Sequence, residues 1–217
     1  MRPVVLGWPP GPRLRLDHRR FAYAGKFVMS STGKAVVLGA PTEEGRNGTD
    51  TLGDALLDEA DRERLARDDG AGRSLDATVL CAVAFSDDRT DPDTLWVRYV
   101  TVRTDRQGEG LGPALLAFVR DRAAERGYAR VRIGVNNPFS YEAAYRAGFG
   151  WTGEETGLAE LVCEWPAPDG RSAERYRGGL DRFRDPEHER SEGERSFLAE
   201  RADADPPTVV DARTPRD

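Results

Sequence analysis

Apolar and polar residues change period along this chain, and the changes mark its elements. Arg13-Leu-Arg-Leu-Asp17 alternates with period two and predicts a first strand. Asp17 is a capping residue type, and Phe21, Ala24, Phe27 and Val28 then recur at helical spacing, which predicts a helix from His18 to Ser30 that Gly25 weakens. The turn cluster Ser30-Ser-Thr-Gly33 leads into a second strand, Lys34 to Leu38. From residue 40 to Asp76 the chain turns polar, and Leu52, Leu56 and Leu65 predict a solvent-facing helix inside an insertion. Ala77 to Ser86 and Thr94 to Arg103 predict two more strands, joined by Asp87-Asp-Arg-Thr-Asp-Pro-Asp93, whose side chains bond their own backbone.

The second half alternates. A helix is predicted from Gly110 to Arg126, a strand from Ala129 to Val135, a helix from Ser140 to Ala147 closed by Gly148, and strands from Phe149 to Thr152 and Leu158 to Trp165. Tyr176, Leu180 and Phe183 predict a last helix over Arg171 to Arg184, and few apolar residues follow Pro186, which predicts a disordered tail. The expected class is α/β (α+β): a mixed central sheet of six or seven strands flanked by helices, with a charged helical insertion. Residues 1–168 form the expected domain, interrupted at 40–76, with a helix over 169–185 and an acidic tail over 186–217.

Composition narrows the function classes. The 217 residues carry a formal charge of −6, and arginines such as those in Asp61-Arg-Glu-Arg64 have acidic neighbours. A phosphate backbone needs clustered positive potential, so no nucleic-acid partner is expected. No run approaches the 18 apolar residues of a membrane span, and the N-terminus has no signal-like apolar core, so no membrane partner and a cytoplasmic location are expected. Cys81 and Cys163 lie in apolar runs and read as reduced core thiols, while His18 and His188 offer no metal-binding spacing, so no metal is expected.

The most informative stretch is Gln107-Gly-Glu-Gly-Leu-Gly112, between the run Leu95 to Val102 and the following helix. Its glycines remove β-carbons from a strand-to-helix turn, so backbone N–H groups can approach an anion at the positive end of that helix. It is not a P-loop, since Gly112 precedes Pro113 rather than Lys-Ser/Thr. It is not a dinucleotide fingerprint either, since the next strand ends in Asn136-Asn137 and not in an acid.

Gln-x-x-Gly-x-Gly after Tyr99-Val-Thr-Val-Arg103, followed by a helix, a strand and Asn137-Pro-Phe-Ser-Tyr-Glu-Ala-Ala-Tyr-Arg-Ala-Gly-Phe149, resembles the GNAT superfamily of acyl-CoA-dependent N-acyltransferases. The resemblance covers Leu95 to Val162. It implies acetyl-CoA as co-substrate, with Gln107, Gly108, Glu109, Gly110, Leu111 and Gly112 around the diphosphate. Glu109 departs from the basic or neutral residue of many relatives. It further implies that Val100, Thr101 and Val102 offer free main-chain groups to the pantetheine arm, and that Asn137 contacts the coenzyme.

A tyrosine on the helix after Asn137 protonates the thiolate in relatives. The family's offset from Gly148 lands on Ala144, so Tyr145 is one residue late, and Tyr141 shares the face of Ala144; Tyr145 is the expected acid. No glutamate stands on the strand at Arg98-Tyr99 to act as base, which leaves Asp87, Asp88, Glu160 and Glu164 acting through solvent, while Arg98 could pair with an acidic acceptor. The resemblance implies a small-molecule or peptide amine as acceptor, and a homodimer is left open. A non-catalytic acyl-CoA-binding module of the same fold is the alternative. A third reading is an interaction protein working through insert and tail, which would lose function on deletion of residues 186–217, whereas an enzyme would lose little.

Overall fold

Seven strands hydrogen-bond into one mixed sheet in the computed structural model, which describes residues 1–39, 78–185 and 189–210. In chain order they are β1 (Arg2–Gly7), β2 (Gly33–Gly39), β3 (Thr78–Asp87), β4 (Thr94–Val102), β5 (Arg130–Val135), β6 (Gly150–Glu155) and β7 (Leu161–Trp165), arranged β1-β2-β3-β4-β5-β7-β6. Among the described residues four α-helices accompany them: α1 (Leu111–Glu125), α2 (Pro138–Arg146), α3 (Ala173–Arg182) and α4 (Glu192–Glu200). The expected insertion 40–76 with its helix lies outside the described residues, as do 186–188 and 211–217 of the expected tail.

All neighbouring pairs are antiparallel except β4 and β5. That parallel pair is joined by α1, the crossover such a connection requires. Alternation sorts the strand residues onto two faces. Leu95, Val97, Val100 and Val102 of β4 join Val131, Ile133 and Val135 of β5 in the larger core, under Leu115, Val119 and Tyr141 of the helices. On the other face Val79, Ala82 and Ala84 of β3 are covered by Leu14, Phe21, Ala24 and Phe27.

Three expectations fail. The first strand is Arg2–Gly7, not Arg13 to Asp17. Pro9, Pro10 and Pro12 lack N–H donors just ahead of that segment, so it runs along the 27–30 loop instead, with Gly11 N–H donating to Ser30 O and Leu14 N–H to Phe27 O. No helix spans His18 to Ser30: Asp17 caps only a single turn, through Arg19 N–H, and Tyr23 takes a left-handed φ of 58° that no α-helix tolerates. The spacing of Phe21, Ala24 and Phe27 nevertheless identified buried residues.

Within the expected disordered tail, residues 189–210 instead form α4 and a docked strap. Ser191 and Glu194 make a reciprocal capping box, a signal legible as Ser-x-x-Glu, and Leu198 is buried against the core. The strap returns to α2, where Val210 N–H donates to Arg146 O at 2.8 Å, and Arg201 pairs with Glu142.

Candidate active site

The parting of β4 from β5 builds the site. Their pairing runs from Thr94↔Arg130 to Val97↔Ile133 and stops there, although both strands continue. The cause lies on the other side of β4. Ala84 of β3 faces Tyr99 and the adjacent Phe85 faces Val97, so Arg98 is an extra residue on β4. Such a bulge bends its strand and increases the local twist. From Val100 to Val102 β4 is therefore held by β3 alone, and the edge turned toward β5 is unpaired among the described residues. Thr101 Oγ1 is buried there without a hydrogen-bond partner.

The glycine loop closes the end of this gap. Thr104–Arg106 makes one 3₁₀ turn, and Gly108 and Gly110 then take φ of 86° and 79°, the region a β-carbon disfavours. Gly110 is the N-cap of α1, whose first turn holds no acidic residue. Among the described residues none of the N–H groups from Gln107 to Gly112 donates to a protein acceptor. Pro113 sits in the first turn, where its missing donor costs nothing. Glu109 is turned out of the cradle by a bidentate pair with Arg106, both contacts 2.6 Å, which also lowers the carboxyl pKa. Repulsion between this carboxylate and an anion in the cradle is thereby reduced.

Asn137 is at the N-terminus of α2, where β5 ends, but its side chain serves the helix. Oδ1 accepts from Ser140 N–H at 2.8 Å and Nδ2 donates to Asn136 Oδ1. At the other end of α2, Gly148 N–H donates to Tyr145 O and Phe149 N–H to Ala144 O, the paired closure that the left-handed Gly148 permits.

Tyr145 does not reach the gap. Its side chain is fully buried, and its hydroxyl accepts from Trp151 N–H of β6 at 3.1 Å. In the sheet order β6 lies three strand spacings, roughly 14 Å, from β4. Tyr141, also buried, donates to Tyr176 O at 3.2 Å, and burial pushes both phenols above their ordinary range. The one-residue offset from the family position has turned Tyr145 into the tyrosine cluster with Tyr141 and Tyr176. The expected acid is thus a core residue. Tyr145→Phe is expected to lower stability by about 1 kcal/mol, through the orphaned Trp151 N–H, and to leave kcat unchanged. Thermal unfolding and steady-state kinetics check both halves.

The carboxylates separate as clearly. Asp88 accepts from Thr90 N–H and is held at about 2, too acidic to act as a base, and Asp87 accepts from Tyr128. Glu164 is buried and paired with Arg132 at 2.5 Å. Glu160 is different: a β-carbon on Gly134 would meet its Oε2 at 2.8 Å, so the carboxylate rests on Gly134. Gly134 is the first β5 residue past the last β4 pair, and by alternation it faces away from α1 and α2. Glu160 therefore stands beside the gap on the face opposite the glycine loop. Tyr99 lies on that same face, near Tyr23 and under Lys26, whose Nζ is 5.8 Å from the Tyr99 ring. Arg98, the expected partner for an acidic acceptor, donates to Ser86 Oγ and lies over Trp96.

The site thus has a glycine cradle on one face, an unpaired strand edge behind it and a carboxylate on the other face. The family model described as acetyltransferase (GNAT) family matches residues 47–149. Those residues, a little under half of the chain, are thus similar to that acetyltransferase family. Among solved structures, the chain is similar to a nourseothricin acetyltransferase (26% identity, 41% of this chain and 57% of that one, TM-score 0.35). It is also similar to the PaiA N-acetyltransferase of Thermoplasma acidophilum, solved with coenzyme A (16% identity, 40% and 53%, TM-score 0.35). A third is a GCN5-related N-acetyltransferase from Kribbella flavida (21% identity, 42% and 62%, TM-score 0.35). The matched part spans little more than half the length of the first two. No curated protein sequence matches the chain. Among the described residues no helix is long and apolar enough to cross a membrane, and no cluster of metal-ligating side chains occurs.

Proposed function

We propose that this protein is an N-acetyltransferase that moves an acetyl group from acetyl-CoA directly to an amine. The observation that carries the reading is the unpaired edge of Val100 to Val102 opening beside the N–H groups of Gly108 to Gly112. Open N–H groups at a helix N-terminus suit a diphosphate, and the free N–H and C=O groups of β4 suit the amides of a pantetheine arm. Bound there, acetyl-CoA would supply an activated acyl carbon and a thiol leaving group.

The protein's own groups then divide the work. An N–H on the free edge of β4 polarises the acyl carbonyl and holds the charge that develops on its oxygen. The amine approaches from the face that carries Tyr99, and Glu160 takes its proton directly or through one water. The nitrogen–carbon bond forms as the carbon–sulfur bond breaks. A departing thiol whose ordinary pKa is about 8.5 takes its proton from solvent, so the seclusion of Tyr145 does not forbid the reaction.

Transfer is direct, because the two thiols cannot serve as an acyl relay. Cys81 and Cys163 are fully buried, and burial pushes both well above the ordinary thiol range. Iodoacetamide is expected to leave both unmodified in the native protein and to label both in denaturant, as mass spectrometry would show; rapid native labelling would reopen a covalent route. Two buried free thiols also support the cytoplasmic location.

Calorimetry with acetyl-CoA, followed by thiol release with a panel of amines, tests the proposal. Absence of binding by folded protein would remove it. Binding without thiol release from any amine would favour the second reading, a coenzyme-binding module without catalysis, which the burial of Tyr141 and Tyr145 supports.

A further inference from the structure

We propose that Arg146 is a side-chain ligand of the coenzyme diphosphate, reaching the glycine loop from the end of α2; this rests on the coenzyme reading above. As a basic residue in the last turn of α2, Arg146 would ordinarily be read as favouring the negative end of its own helix. Its guanidinium is elsewhere. Nη2 lies 3.9 Å from the point a β-carbon on Gly110 would occupy, beside the N-cap of α1.

That is the positive end of a helix, where a second positive charge is repelled. Among the described residues no carboxylate offsets it, since the first turn of α1 has none and Glu109 is held by Arg106. Arg146 makes no side-chain hydrogen bond or ion pair among the described residues, whereas Arg103, Arg120, Arg132, Arg175 and Arg201 each hold a carboxylate. Cation, helix terminus and open N–H groups thus converge on one point with no anion from the described residues. A diphosphate between them satisfies all three, and the planar guanidinium fork suits phosphate oxygens better than an ammonium would. The main chain at Arg146 is fixed beforehand, because its carbonyl accepts from Val210 N–H and the closure at Gly148 follows directly.

Coenzyme A carries a second phosphate group, the 3′-phosphate, so the test uses two probes. Calorimetry with CoA and with dephospho-CoA, which lacks the 3′-phosphate, is run on the wild type, Arg146→Met and Arg146→Lys. Arg146→Met is expected to weaken both probes by the same factor, about tenfold to a hundredfold, with an unchanged thermal midpoint, and Arg146→Lys to recover part of the loss. Equal affinities in wild type and Arg146→Met would overturn the inference. Loss confined to CoA would move Arg146 to the 3′-phosphate and overturn the diphosphate assignment. A wild type that binds neither probe would instead remove the coenzyme reading itself.

Discussion

Gly110→Asp is expected to weaken acetyl-CoA binding by about a thousandfold or more, a change of roughly 4 kcal/mol, while the protein remains folded. Three effects act in the same direction. The φ of 79° at Gly110 is strained for a residue with a β-carbon, at roughly 1–2 kcal/mol. The new carboxylate would stand among the N–H groups meant for a diphosphate and repel it. It would also come within reach of the Arg146 guanidinium and satisfy that cation internally. Gly110→Ala separates these contributions, because it keeps the strain and adds no charge, and a far smaller loss is expected. Isothermal titration on both variants reads the difference. Equal affinities for Gly110→Asp and the wild type would remove the loop from the coenzyme site.

Truncation after Asp185 is expected to destabilise the fold by roughly 4 kcal/mol, lowering the thermal midpoint by about 10 °C. The segment removed is packed against α2 and α3. Leu198 is almost fully buried, Phe197 meets Phe139 edge to face at 4.7 Å, and Arg201 pairs with a Glu142 carboxylate that is only 17% exposed. Without Arg201 that carboxylate keeps, among the described residues, only the hydroxyl of Tyr176 at 3.3 Å. Loss of activity on deleting residues 186–217 therefore does not single out an interaction protein: an enzyme would also lose it through α2. Thermal denaturation of the truncated chain checks this, and an unchanged midpoint would mean that the strap contributes nothing. The substitution Arg201→Met should reproduce part of the loss.

Most of the sheet was legible from residue pattern. Strands β2, β3, β4 and β5 fall within one or two residues of the alternating or apolar runs that predicted them, and α1 begins one residue after its predicted start at Gly110. These segments are long or bounded by turn residues, so period and punctuation agree. The failures cluster between residues 2 and 30. There Val4, Val5 and Leu6 form a run too short to stand out, while Leu14, Phe21 and Phe27 reach the core from irregular backbone, so burial without regular hydrogen bonding imitated a helix. Within the tail, Ser191 and Glu194 carried a signal that low apolar content obscured.

The site divides in the same way. Glycine positions in the β4–α1 turn and the capping Asn137 are local features, since each depends on the backbone of a few neighbouring residues. Contacts between distant segments left no such mark. Glu160 becomes a candidate base only because Gly134, 26 positions earlier, has no side chain to displace it. Arg146 meets Gly110 only because α2 packs beside α1, and Tyr145 misses the gap only because one residue of helix turns a side chain by about 100°.

By itself the sequence determined the order of elements from β2 onward, the glycine-rich turn before α1, and the resemblance of that turn to the GNAT superfamily. Tertiary structure alone decided where β4 leaves β5, which carboxylate faces the opening, and which tyrosines are sealed away from it. The reason is physical: turns and periods are encoded by neighbours along the chain, whereas a strand bulge, a glycine-sized gap and the facing of a helix are settled by how segments far apart in sequence pack.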